Sequence, residues 1–106
     1  YASGDGESWE NLGTLPVDTL YGHAAAVAED AIYISGGNGQ PGGLLRSGDG
    51  ISWEALTLTS AFPERTYHGF VFWQGRLWLL GGSYTQDLSL QLRNDVWATP
   101  VPAPVP

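Results

Sequence analysis

The strongest constraint on the fold of this chain is an internal repeat. Residues 3–12 recur as residues 47–56, at an offset of 44, and residues 23–37 recur as residues 68–82, at an offset of 45. Two separate segments that share nearly one period indicate a repeat architecture. In such an architecture each unit is a small supersecondary structure that buries its apolar face against its neighbours.

Each repeat is predicted to consist of short antiparallel strands. Segments rich in β-branched and aromatic residues alternate with turn sequences such as Asp-Gly, and no segment has helical periodicity with capping residues. With the strands of a four-stranded unit named a to d, the chain reads c–d, a–b–c–d, a–b–c. In the first unit, strand c is the short segment before residue 9 and strand d is 9–12. The complete unit has strands a to d at 23–28, 31–35, 44–47 and 53–56. The last unit has strands a, b and c at 69–73, 76–80 and 95–99.

Composition excludes several classes of function. The chain has 106 residues, no Cys, 11 acidic residues and four basic residues that are all Arg, which gives a net charge of −7. Scattered arginines do not form the basic patch that nucleic acid or anionic lipid requires, so neither is an expected partner. No apolar run reaches the roughly 18 residues of a membrane helix, so membrane insertion is not expected. The length allows one small domain.

The repeat resembles that of kelch β-propellers. The double glycines Gly36-Gly37 and Gly81-Gly82, the aromatic residues before them (Tyr33 and Trp78), residues 62–68 before strand a, residues 94–97 at strand c, and Trp53 with Leu56 on strand d carry the resemblance. It implies an all-β fold of four-stranded antiparallel β-propeller blades. The expected organisation is a partial blade at 1–12, a complete blade at 13–56, a partial blade at 57–99 and a Pro-rich tail at 100–106.

The Asp-Gly turns resemble a motif of a second propeller family. The pattern Ser-x-Asp-Gly-x-x-Trp, at residues 3–9 and 47–53, is similar to the Asp box of sialidase-type propellers but is one residue shorter. We expect Asp5 and Asp49 to fix these turns by accepting bonds from nearby backbone N–H groups. A calcium site is the alternative, but it needs six or more oxygens from a longer loop.

No catalytic residue, metal site or cofactor is predicted. His23 and His68 share one repeat position, which favours a hydrogen-bonded packing role over a metal pair. The carboxylates are spread among turns, with no pairing of the kind that glycosidases need. Gly37 and Gly82 are expected to have positive φ or crowded Cα atoms where strand b ends. The Trp residues at 9, 53, 73, 78 and 97 are expected mainly to pack between blades, with a carbohydrate platform as the alternative.

The long loops between strands d and a and between strands b and c open on one face of the blades. Binding concentrates on such loops, so this face is predicted to contact a protein or a glycan. The alternative is that these are solvated loop residues. The predicted ligand-binding residues are Asn38, Gln40, Arg46, Arg65, Tyr84, Gln86 and Arg93.

Three functions compete at this point. The first is a non-catalytic binding module. The second is a structural building block that completes a ring or fibre by strand exchange between copies. The third is part of a sialidase-type or galactose-oxidase-type propeller enzyme. Since strand d of the last unit is missing, we expect either a homo-oligomer or the remainder of a longer parent chain, and a start inside strand c favours the parent chain slightly. Composition resembles that of secreted bacterial repeat proteins, so an extracellular or periplasmic location is expected.

Overall fold

The computed structural model describes residues 1–15, 22–37, 43–56 and 62–101. Within these ranges the chain forms strands and no helix, and none of it is a helix long and apolar enough to cross a membrane. The strands are β1 (Ala24–Ala28), β2 (Ala31–Ser35), β3 (Leu44–Ser47), β4 (Glu54–Leu56), β5 (Gly69–Trp73), β6 (Arg76–Leu80), β7 (Ser83–Gln86), β8 (Ser89–Leu92) and β9 (Val96–Pro100).

The first sheet contains four antiparallel strands in the order β1-β2-β3-β4. Its strands follow one another in sequence, as the repeat predicts, and the bounds of β2 and β3 are the predicted ones. The strands pair in register, with Ile34 opposite Ala25 on one side and Leu45 on the other. The predicted all-β fold with antiparallel four-stranded sheets is therefore confirmed for this unit.

The second sheet contains three strands in the order β5-β6-β9. Between β6 and β9 lies a separate hairpin of β7 and β8, where the sequence predicts a long loop at 83–94. The predicted loop was wrong, and the sequence gives no signal of the hairpin because its turn contains no glycine. Asp87 and Leu88 both have positive φ, of 51° and 65°, which is the geometry of a two-residue hairpin turn that Asn-Gly or Asp-Gly usually signals.

The predicted d strand at 9–12 is not formed. This segment makes one isolated bridge, between Ala2 and Glu10, and Trp9 is 61% exposed. Inter-blade packing is likewise wrong for Trp73, which is 57% exposed. Trp53, which is the repeat equivalent of Trp9, is half-buried. The difference arises because Trp53 precedes β4, which is paired within a sheet, whereas the residues after Trp9 make only the single bridge at Glu10.

The two sheets meet through β1 and β5, their first strands. Between them lies an apolar core in which alternate residues of the strands are buried, as expected for sheets with one covered face. The glycines at the end of each second strand have the predicted conformation, since Gly37 has φ 105° and Gly82 has φ 94°. The core residues are Ala28, Ala31, Tyr33, Leu44, Phe62, Phe70, Leu77 and Leu79.

Candidate functional site

The segment that leads into β5 is organised by a buried arginine. The side chain of Arg65 is fully buried and forms a two-pronged ion pair with Asp95, with Nη1–Oδ1 and Nη2–Oδ2 distances of 2.8 and 2.9 Å. Nη1 also donates to the carbonyl of Gly81 at 2.9 Å. The Asp95 carboxylate accepts a further bond, at 2.7 Å, from the indole Nε1 of Trp97. The ion pair holds the pKa of Asp95 well below its usual range.

The same segment joins the two sheets. The carbonyl of Arg65 accepts a hydrogen bond from the backbone N–H of Gly37, at the end of β2, with a distance of 2.9 Å. His68 lies close by and is 7% exposed. Its Nε2 is 2.8 Å from the hydroxyl of Ser35. Residues 65–68 are therefore a fixed connection between the blades.

The surroundings of His68 disfavour the protonated form of its imidazole. Burial lowers the pKa of His68, and the nearby Arg65 guanidinium lowers it further. Nδ1 is buried and has no hydrogen-bond partner among the described residues. His23, which shares its repeat position, is exposed. The predicted hydrogen-bonded packing role therefore applies to His68 and is wrong for His23. A shared repeat position gives the two residues a similar backbone path but does not determine which side chains lie beside them.

A groove of about 330 Å³ opens beside this connection. One wall comes from the segment before β5 and the other from the hairpin of β7 and β8. A backbone bridge between Thr66 and Ser83 joins the two walls, and their hydroxyls lie 3.2 Å apart. The lining residues are Glu64, Arg65, Thr66, Tyr67, Ser83, Tyr84, Thr85 and Leu90.

Tyr67 stands at the rim of the groove in an unusual backbone conformation. It has φ 54°, a left-handed conformation that is costly for a bulky side chain and that occurs at turns and at functional sites. Its N–H donates to the carbonyl of Gly22 at 2.7 Å, which holds the strained turn in place. The side chain is 74% exposed, so in this backbone conformation the aromatic ring of Tyr67 faces solvent.

Arg93 lies beside the groove and contacts a residue of each wall, although it does not line the groove itself. Its guanidinium stacks over the ring of Tyr84, with the guanidinium carbon 3.9 Å from the ring centroid. Its Nε donates to the carbonyl of Glu64 at 3.0 Å. Stacking of this kind fixes the planar cation while leaving it able to meet an anion. Arg93 thereby places a positive charge beside two residues that line the groove.

The structure brings together part of the predicted ligand-binding set. Arg65 and Tyr84 line the groove, and Arg93 stacks on Tyr84 beside it. Arg65 is buried, however, and its charge is paired with Asp95. Arg46 lies in the other sheet, where it pairs with Glu54 at 3.3 Å. Gln86 is exposed at the end of β7. Asn38 and Gln40 lie outside the described residues.

Six of the eight lining residues are absent from the predicted ligand-binding set, among them Tyr67, Thr66 and Ser83. Tyr67 was included in a motif but was given no role, because its positive φ has no sequence signal. Thr66 and Ser83 are common polar residues that become a pair only through the pairing of two segments 17 residues apart. No cluster of three or more His, Asp or Glu side chains that could hold a metal ion occurs within the described ranges.

The two Asp turns have one geometry. Oδ1 of Asp5 accepts backbone bonds from Glu7 and Ser8 at 2.8 and 2.9 Å, and Oδ1 of Asp49 accepts bonds from Ile51 and Ser52, both at 2.8 Å. These bonds lower the pKa of both carboxyl groups. The side chains fix the turns as predicted.

These features define a segment of a β-propeller: an all-β chain of antiparallel sheets, built on one repeat and joined through their first strands. No protein-family model matches the chain. The chain is 35% identical over 86 residues to N-acetylneuraminate epimerase 1 of Escherichia coli O6:H1 (strain CFT073), a β-propeller protein. The match covers 72% of this chain and 22% of that protein, so the chain spans about a fifth of the relative's length.

Proposed function

We propose that this chain is a kelch-like propeller segment that binds an acidic sugar of the N-acetylneuraminate type in the groove beside Tyr67, without catalysing its conversion. The observation that carries the proposal is a groove that Tyr67 lines with an exposed ring in a strained turn, and beside which Arg93 stacks on another lining residue, Tyr84. The name of the relative supplies the sugar class. This develops the binding module predicted from the loop-rich face.

The chemistry of the groove suits such a ligand. The exposed ring of Tyr67 offers an apolar face to the carbon side of a sugar ring. Arg93, which stacks on Tyr84 beside the groove, offers the planar donor geometry that recognises carboxylates. The hydroxyls of Thr66 and Ser83 add polar groups at the junction of the walls. A few polar groups in a partly aromatic groove are typical of small-ligand sites.

The enzyme alternative is favoured by the relative's name alone. Acid–base chemistry on a sugar needs titratable groups poised beside the ring. Among the described lining residues Glu64 is the one carboxylate, and no second carboxylate or imidazole faces it across the groove. Arg65 is paired with Asp95, and His68 is buried nearby but does not line the groove. We therefore assign this segment to binding.

Ligand-observed NMR by saturation transfer tests the binding proposal. N-acetylneuraminate should receive saturation from the chain, whereas N-acetylglucosamine, which has no carboxylate, should receive much less. Tyr67→Ala and Arg93→Gln should each weaken binding at least about fivefold, which corresponds to about 1 kcal/mol. Tyr1→Ala is the matched control, since Tyr1 is 83% exposed and lines a different groove.

Two results would contradict the proposal. Equal binding by wild type and Tyr67→Ala would show that the groove is not the site. Faster interconversion of the N-acetylneuraminate epimers, in proportion to the amount of chain added, would show that the segment is catalytic and that the enzyme alternative is correct.

A further inference from the structure

A buried histidine lies between the two blades. The imidazole of His68 packs so closely against Gly36, directly after β2, that a side chain on Gly36 would overlap its Cε1 atom. On the other side, a Cβ added at Gly82, after β6, would lie 2.8 Å from Cβ of His68. His68 is therefore enclosed by the double glycines of both blades, and these positions make room for its ring because they carry no side chains.

The ring has one hydrogen-bond partner in the described part of the chain. Its Nε2 lies 2.8 Å from the hydroxyl of Ser35, which is fully buried on β2. Its Nδ1 is buried and has no partner there. In the neutral tautomer with the proton on Nε2, the ring donates to Ser35 and Nδ1 carries no proton. The surroundings of His68 therefore suit the neutral imidazole.

Protonation adds both a buried donor and a buried charge at this place. A proton on Nδ1 creates an N–H group that has no acceptor, which is costly in the interior. The titratable and charged groups nearby do not offset this cost. Burial lowers the pKa of His68 most, and Arg65 on its own segment and His23 on the segment before β1 lower it further. Asp95, before β9, is already paired with Arg65.

The segment that holds His68 also forms one wall of the groove. The two residues directly before it, Thr66 and Tyr67, line that groove. The segment is held against the first blade by the N–H of Gly37, which donates to the carbonyl of Arg65 at 2.9 Å. We call this bond, together with the contact of His68 with β2, the inter-blade joint. Displacement of the imidazole from the joint would also move the wall of the groove.

We propose that His68 positions this wall only as the neutral imidazole, so that protonation opens the inter-blade joint and releases an acidic sugar from the groove. The release of the sugar rests on the proposed function, whereas the opening of the joint does not. His68 is a positioning residue, because it does not line the groove and acts through Thr66 and Tyr67. A ligand that binds only the closed joint loses affinity in proportion to the fraction of chains in which the joint is open.

Amide hydrogen exchange tests the joint without any sugar. The N–H of Gly37 bonds across the joint, whereas the N–H of Gly81 bonds within the second sheet, to the carbonyl of Asp95. The ratio of the two exchange rates removes the direct effect of pH on the exchange reaction. From pH 7.5 to pH 5 this ratio should rise at least about tenfold, since the protonated fraction of a group grows about tenfold per pH unit above its pKa. His68→Gln, which cannot take up a proton, should hold the ratio constant.

Sugar binding gives the second readout. The affinity for N-acetylneuraminate should be at least about threefold weaker at pH 5 than at pH 7.5 in the wild type, and equal at the two pH values in His68→Gln. His23→Gln is the matched control and should keep the wild-type pH dependence, because His23 is the other imidazole of the chain and is exposed. Failure of the wild type to bind at pH 7.5 would contradict the proposed function and leave the exchange ratio to decide the role of His68. Equal binding by the wild type at both pH values would overturn that role.

A second variant keeps the test decisive if His68→Gln does not fold. Ser35→Ala retains the titrating ring and removes its partner on the first blade. In this variant the exchange ratio of Gly37 to Gly81 should already be raised at pH 7.5, because the joint is weakened without a proton. An unchanged ratio in Ser35→Ala, or an equal response to acid in the wild type and His68→Gln, would overturn the proposal.

Discussion

The buried guanidinium of Arg65 holds both carboxylate oxygens of Asp95, which lies 30 residues further along the chain, at 2.8 and 2.9 Å. The pair fixes the segment before β5 to the residue that precedes β9. The pair therefore positions one wall of the groove relative to β9. Arg65 is fully buried, whereas the side chain of Asp95 is 37% exposed, so removal of the carboxylate leaves a buried charge that water reaches only from one side.

Asp95→Asn should destabilise the chain by about 1–3 kcal/mol. Breaking a fully buried ion pair costs about 3–5 kcal/mol, and the smaller figure reflects the partial exposure of Asp95, which weakens the pair by solvent screening. Urea denaturation at pH 7 measures the change. Asp87→Asn is the control, because it makes the same charge change at an exposed hairpin turn. Equal midpoints for the two variants would show that the Arg65 pair is not stabilising.

Acid should destabilise the wild type more than Asp95→Asn. The folded pKa of Asp95 is depressed below 3.8 by Arg65, so the unfolded state binds the proton first as pH falls. The stability from this carboxylate is present above pH 4 and is lost as pH falls below 4. Urea midpoints from pH 6 to pH 2 should therefore fall less steeply in Asp95→Asn. Asp5 and Asp49 leave a residual slope in both proteins, and identical slopes would contradict the assignment to Asp95.

Stability should also decline as pH falls below 6.5, through His68. Its folded pKa is depressed below the ordinary value of 6.5 by burial and by Arg65. The unfolded state therefore takes up the proton first, and the contribution that is present above pH 6.5 is lost as pH falls. Thermal melts between pH 7.5 and pH 5 should show a flatter dependence in His68→Gln. His23→Gln, at the exposed repeat equivalent, should keep the wild-type slope, and a steep slope in both variants would exclude His68 as the source.

Gly82→Ala should destabilise the chain by about 1–3 kcal/mol through backbone strain and crowding. Gly82 has φ 94°, and an added Cβ would lie 2.7 Å from the carbonyl oxygen of Thr66 and 2.8 Å from Cβ of His68. Gly4→Ala is the control, because a Cβ there meets nothing within 4 Å and its φ is not positive. Differential scanning calorimetry gives both values. A Gly82→Ala protein as stable as Gly4→Ala would show that the backbone can relax at this site.

Local patterns account for the part of the fold that was predictable. The bounds of β2, β3, β5 and β6 follow from apolar strands between turn residues. The geometry of the Asp turns follows from side-chain bonds that span two or three residues. The hairpin of β7 and β8 was not predicted, because its turn residues, Asp87 and Leu88, adopt positive φ although neither is a glycine.

The sequence predicts the face of the candidate site and not its contacts. Loop lengths placed binding on the face formed by the d–a and b–c loops, and the groove lies between those two segments. Whether an arginine is buried or available depends on its partner across the sheet. The charge of Arg65 is paired with Asp95, whereas Arg93 stacks on Tyr84. The two arginines look alike in the sequence, since nothing local distinguishes their partners.

The sequence by itself determined the repeat, the hairpins β1-β2 and β5-β6, and the Asp turns. The repeat is a property of the sequence, and the hairpins and turns depend on residues that are neighbours along the chain. The tertiary structure alone decided the pairing of Arg65 with Asp95, the strained and exposed position of Tyr67, and the exposure of Trp9. The physical reason is that those features depend on which segments meet across a sheet. The repeat gave Trp9 and Trp53 the same sequence context, and only the presence of a paired strand beside one of them made their surroundings different.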